Sequence, residues 1–122
     1  MAQVHFYKKQ HEQVVELLST VEYEDFTYNL NSKAMLIATY YETNEIDPLY
    51  SMLESFRTYL NRHDEIPEIR RENFHNLIRF TRRLTKVDTS IPEELDKLED
   101  EIKATKQVAS QSWLLEKVQE LR

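Results

Sequence analysis

Residues 31–62 read NSKAMLIATYYETNEIDPLYSMLESFRTYLNR, and this stretch decides the fold. Ala34, Leu36, Ile37, Tyr40 and Tyr41 recur at helical spacing. Asn31 or Ser32 can cap such a helix by accepting a bond from a first-turn N–H, and it is expected to run to about Thr43. Asp47-Pro48 is a restart signal: aspartate caps, and proline suits the first helical position because its missing N–H would be unpaired there anyway. The second helix, about 48–62, is expected to bury Leu49, Met52, Leu53, Phe56 and Leu60 and to end in Asn61-Arg62-His63-Asp64. Phe6-Tyr7 recurs as Tyr40-Tyr41, 34 residues later, followed by the apolar runs Val14-Val15-x-Leu17-Leu18 and Leu49-Tyr50-x-Met52-Leu53. A period of about 34 residues is the length of one helix–turn–helix unit in a stacked solenoid.

Composition agrees with an all-α chain. The 122 residues contain no glycine, where average usage would give about eight or nine. Tight β-turns and hairpins draw on glycine for positive φ, so a hairpin-rich fold is disfavoured, whereas helices lose nothing. Cysteine is also absent, which excludes disulfides, thiolate metal sites and a cysteine nucleophile. Uncharged stretches such as residues 34–41 are far too short to span a bilayer, and no signal-peptide pattern opens the chain. No membrane association is expected, and a cytoplasmic location is, unless a leader precedes Met1. Net charge is −6, which disfavours general nucleic-acid binding. The charge is uneven: residues 65–87 hold six basic and three acidic side chains, and residues 88–104 hold seven acidic and two basic.

Elsewhere, Val4, Tyr7, Val14, Leu18 and Val21 fit helical spacing around a turn at Lys8-Lys9-Gln10-His11, with a helix near 12–21. Residues 22–30, carrying Tyr23, Phe26, Tyr28 and Leu30, read as an ordered connector. Pro67 opens a helix to about Lys86, with Ile69, Asn73, Leu77, Phe80, Thr81 and Leu84 on one face. Arg71, His75, Arg79, Arg82 and Lys86 share the opposite one. Ser90 with Glu93 matches a capping box for a helix over about 91–106 with the seam Ile91, Leu95, Leu98 and Ile102. A last helix near 110–121 carries Trp113, Leu114, Leu115, Val118 and Leu121. The chain is read as one domain, 1–122, with no interdomain linker.

Ala34-x2-Ile37-Ala38-x2-Tyr41 resembles the first-helix signature of a tetratricopeptide repeat, large-x2-Leu-Gly-x2-Tyr, with alanine in place of the bulky first residue and of the glycine. Met52 and Phe56 come closest to the second-helix signature, about two positions late. The resemblance covers about residues 3–62, as degenerate repeats. Residues 63–122, ending in Trp113-Leu114-Leu115-Glu116-Lys117, are read as C-terminal capping helices, similar to the C-terminal parts of bacterial tetratricopeptide-repeat proteins. The resemblance implies antiparallel helical hairpins stacked as a short right-handed solenoid and a fragment of a longer array. It also implies a concave surface lined by first-helix residues (here Ser32, Lys33, Met35, Thr39 and Glu42) and no catalytic residues.

The basic stripe is the most suggestive chemical feature. A ridge of donors every three or four residues could grip a carboxylate-rich peptide or a phosphate backbone. It could equally be the solvated face of an amphipathic helix, or be neutralised by the acids of 93–101 lying alongside and by Glu68 and Glu72 within helical reach. Glu72-x-x-His75 has the spacing of one di-iron helix motif, but such sites need two of them plus two further glutamates. His11-Glu12 lacks the second histidine of the zinc-protease pattern, and His63-Asp64-Glu65 sits at a helix end. A phosphate loop and a nucleophile elbow both require glycine. The aromatics Phe6, Tyr7, Tyr40, Tyr41, Tyr50, Phe56 and Tyr59 serve inter-helix packing or a tyrosine-lined groove. Trp113 either closes the core end, as a terminal repeat must, or anchors a partner.

These readings lead to a non-enzymatic protein–protein interaction module within a tetratricopeptide-repeat scaffold. No catalytic, cofactor or metal site is expected. Partner contacts are expected at Lys33, Thr39, Glu42, Arg71, Arg79 and Arg82, and the partner is an unidentified protein or peptide. The alternative is a self-associating bundle, a homodimer formed through the acidic helix and the Trp113 helix. Nucleic-acid binding through helix 67–86 ranks third.

Overall fold

The structure, a computed structural model, describes residues 26–122. The first repeat copy at Phe6-Tyr7, the helix near 12–21 and the His11-Glu12 pair lie outside the described residues. Among those described there are five helices and no strand: α1 Phe26–Glu42, α2 Ile46–Arg62, α3 Glu68–Lys86, α4 Pro92–Ala104 and α5 Gln111–Leu121. The chain is all-α here, as the missing glycines led one to expect.

α1 begins earlier than its sequence signals suggest. Residues 26–30, read as connector, are already helical, and Asn31 and Ser32 are interior positions rather than caps. The reason is continuity of packing. Leu30 is fully buried, as is Ile37 two turns on, so the apolar register that defines the helix already includes Leu30 and extends past the capping candidates.

The α1–α2 turn is held by backbone bonds and by the Thr43 hydroxyl, which lies 2.9 Å from both the Thr39 carbonyl and the Glu45 carboxylate. Glu45 N–H reaches the Tyr40 carbonyl at 2.9 Å and Asn44 N–H reaches that of Tyr41 at 3.2 Å. This is the double bond of a Schellman motif, with Asn44 in the left-handed position at φ 58°. Glycine usually fills that place; asparagine tolerates it better than most residues. The next helix starts at Ile46, so Pro48 falls inside the first turn rather than at its first residue. It still costs no hydrogen bond there.

The chain divides into two compact units, one ending at Phe56 and the other Arg57–Arg122, with the boundary inside α2. In the first unit α2 buries Leu49, Leu53 and Phe56 along one stripe. α1 buries two sides. Leu30 and Ile37 share one, while Ser32, Leu36 and Thr39 lie on another, and at 100° per residue Thr39 stands about half a turn from Leu30.

The second unit packs α3, α4 and α5 together, with α4 and α5 in closest backbone approach. Its core is Leu60, Ile66, Phe74, Leu77, Ile78, Phe80, Leu84, Leu95, Leu98, Ile102, Leu114 and Val118. The expected face of α3 is therefore corrected at its N-terminal end. Ile69 is 60 % exposed, and Phe74 and Ile78 take up the core positions. The α4 seam holds at Leu95, Leu98 and Ile102, while Ile91 is the N-cap residue and 40 % exposed. The capping box does not form. Ser90 gives both its hydroxyl (2.6 Å) and its N–H (2.9 Å) to the Asp88 carboxylate, which holds that carboxyl below its ordinary pKa. α4 then starts on Pro92, which needs no N–H partner.

The 105–110 loop is tied to α3 by two bonds: Ala109 N–H to the Asn73 carbonyl at 3.0 Å and the Asn76 amide to the Gln107 carbonyl at 2.7 Å. It ends at Ser110, the N-cap residue of α5, which is left-handed at φ 57°, ψ 35° and makes no side-chain capping bond. Ser110→Gly would relieve about 1–2 kcal/mol of left-handed strain, less about 0.4–1 kcal/mol for the looser unfolded chain. A net stabilisation of about 0.5–1 kcal/mol is expected in urea denaturation; a loss of stability would contradict this backbone assignment.

Candidate functional site

α3 carries cations along the side that does not enter the core. His75, Arg79 and Arg83 follow one another at intervals of four, and Arg82 and Lys86 form the adjoining row. With the end of α2 and the first turns of α4 they enclose a groove of about 630 Å³, wholly within the second unit. Arg57 contributes from α2. Glu94 and Lys97 contribute from α4, and Ile78, Val87 and Leu98 supply an apolar floor. Six of its lining residues are Lys or Arg and one is a carboxylate. The groove therefore favours negative charge, and its partly buried walls screen less than open solvent does.

Several of these side chains are held in place. The Arg79 guanidinium lies 4.3 Å from the centre of the Phe80 ring and donates to Asn76 Oδ1 at 3.2 Å. Arg83 donates to the Glu101 carboxylate, and that bond keeps the Glu101 carboxyl below its usual range. The acidic helix thus pairs with Arg83, a residue outside the stripe read from sequence. Burial first, and then the charges of Arg71 and Arg57, push the His75 imidazole below its ordinary value.

That shift has a sign that can be tested. Below the unfolded value near 6.5 the folded chain binds fewer protons at His75 than the unfolded chain does. His75 therefore costs no stability at pH 7.5, and its cost grows as pH falls through 6.5 towards the folded value. His75→Gln is expected to show a smaller fall in Tm between pH 7.5 and 5.5 than the parent. Equal falls would remove His75 as a source of acid sensitivity.

Of the partner-contact residues expected from sequence, Arg79 and Arg82 line the groove, together with His75 and Lys86 of the same stripe. Arg71 does not. Its Nε donates to the Ile66 carbonyl at 3.2 Å, so it braces the entry to α3. Lys33, Thr39 and Glu42 lie on α1 in the other unit. Thr39 is withdrawn from the set, since it has no exposed surface and its hydroxyl is donated to the Met35 carbonyl at 2.7 Å. Ser32 is likewise buried. Lys33 is half-buried, which lowers its pKa. Sequence reasoning passed over Arg57, Arg83 and Lys97. Arg83 was within reach of it, four residues after Arg79, but Arg57 and Lys97 reach the groove only through tertiary packing.

Among the described residues no cluster of three metal-ligating side chains forms, and no helix is long and apolar enough to cross a membrane. No protein-family model, curated protein or solved structure matches this chain.

Proposed function

We propose that the chain is a non-enzymatic protein–protein interaction module, a tetratricopeptide-like helical array acting in the cytoplasm as part of a larger scaffold. The observation that carries this reading is the burial of α1 on two sides. A helix on the outside of a small globule buries one stripe. A helix inside a stack of helical hairpins is covered by its own partner helix and by a neighbouring repeat. The glycine-free Schellman turn supports the same reading, because it ends α1 and starts α2 with three intervening residues, a connection short enough for antiparallel neighbours. On this reading the partner contacts of α1 fall to Lys33 and Glu42, which keep part of their surface.

The test is capture on the immobilised chain from lysate at physiological salt, with an excess of untagged chain as competitor. The reading expects one or a few proteins that the untagged chain displaces. A chain that retains no protein its own soluble form can displace would overturn it.

A further inference from the structure

We propose that the α3–α4 groove binds a compact polyphosphate anion with an attached apolar ring, the chemistry of a nucleoside polyphosphate. Four features of the groove lead there. Cations converge on it from three separate stretches, Arg57 of α2, Arg79, Arg82 and Lys86 of α3, and Lys97 of α4. They line the volume of one groove. That volume, about 630 Å³, lies within the roughly 300–1,000 Å³ of small-molecule sites. The floor is apolar: Val87 is half-buried and keeps surface for the face of a ring, while the buried Ile78 and Leu98 close the groove beneath it. And the Arg79 guanidinium is already positioned by Phe80 and Asn76, so less side-chain entropy is lost when it takes up a phosphoryl oxygen.

Charge density decides between ligand classes. A phosphoryl group brings several acceptor oxygens and more than one negative charge to a single point, which suits guanidinium forks that converge. A carboxylate-rich peptide or a nucleic-acid strand spreads its charge along its length. Leaving the groove over α4, it would meet Glu93, Asp96 and Asp100, all exposed. That repulsion disfavours long polyanions and leaves compact ones unaffected. Glu94 stands at the groove as its one carboxylate, accepting the Asp88 N–H at 3.4 Å next to Val87, and opposes negative charge there, so the apolar part of the ligand belongs at Val87 and the phosphates belong against Arg79 and Arg82.

This site is independent of the interaction-module reading; failure of either leaves the other standing. The experiment is calorimetric titration of the full chain at pH 7 and low salt, without metal, using ATP, pyrophosphate, single-stranded DNA and an Asp/Glu-rich peptide. The expected result is saturable 1:1 binding of ATP, tighter than pyrophosphate because the ring adds contact with the floor, and weakening as salt rises. Arg79→Glu/Lys86→Glu should weaken ATP by about tenfold or more. Lys97→Glu, on a different helix, should weaken it independently, so a folding defect in one variant does not decide the matter. Absence of saturable ATP binding at millimolar concentration overturns the proposal. So does ATP binding that neither variant changes, and so does tighter binding of the DNA or the peptide than of ATP.

Discussion

Phe80→Ala is expected to destabilise the second unit by about 3–5 kcal/mol, as large-to-small changes at buried aromatics do, a large fraction of the roughly 5–15 kcal/mol available to a small domain. Phe80 has no exposed surface, and the loss combines the transfer of its ring with the cavity left among its core neighbours. The matched control is Ile69→Ala on the same helix. Ile69 is 60 % exposed, so its truncation should change stability by no more than about 0.5 kcal/mol. The two positions share one face of α3, eleven residues apart, so urea denaturation of the two variants reads out how far along α3 the core extends. Comparable losses at both positions would mean that the core also covers the first turn of α3. Phe80→Ala also removes the ring beneath the Arg79 guanidinium, so anion binding should fall along with stability.

That pair of residues also marks where the sequence was legible. The α3 pattern placed Leu77, Phe80, Thr81 and Leu84 correctly, because four apolar or small residues at helical spacing fix a face by themselves. It failed at Ile69, in the first turn, because an apolar residue at a helix end satisfies the same periodicity whether or not the core reaches that far. The reverse error hid the start of α1. Asn31 and Ser32 are good caps, but only Leu30, paired across two turns with Ile37, could reveal that the helix was already under way. Ser90 shows a third kind of miss. A capping box needs the serine hydroxyl for the helix, and here Asp88, two residues earlier, takes it first. Local competitors of that sort are visible in sequence but not rankable from it. Half of the groove was legible because α3 is regular: Arg79, Arg82, His75 and Lys86 lie on the side predicted for them. Arg57 and Lys97 belong to helices whose local patterns say nothing about α3. The same holds for the tie between Asn76 and the Gln107 carbonyl, which joins residues 31 positions apart.

Leu30→Ala and Leu36→Ala are each expected to cost about 2–5 kcal/mol, with Leu36, 7 % exposed, at the lower end. The two side chains point about a third of a turn apart on α1. A helix resting on a globule through a single stripe centred on Leu30 and Ile37 would tolerate the Leu36 loss better, since Leu36 would lie at the margin of that stripe. Burial of both, together with Ser32 and Thr39 further round, requires cover on two sides. Small side chains at those last two positions let the covering element come close, and Thr39 keeps its hydroxyl satisfied within its own helix, so burying it costs little. Asn31→Ala is the control, since Asn31 is exposed and alanine is the better helix former by a few tenths of a kcal/mol. Circular-dichroism melts of the three variants decide between the arrangements. Large losses at both leucines with a neutral or slightly stabilised Asn31→Ala fit an inner helix of a stack. A loss at Leu30 alone would make α1 an edge helix, and the tetratricopeptide-like reading would lose the observation on which it rests.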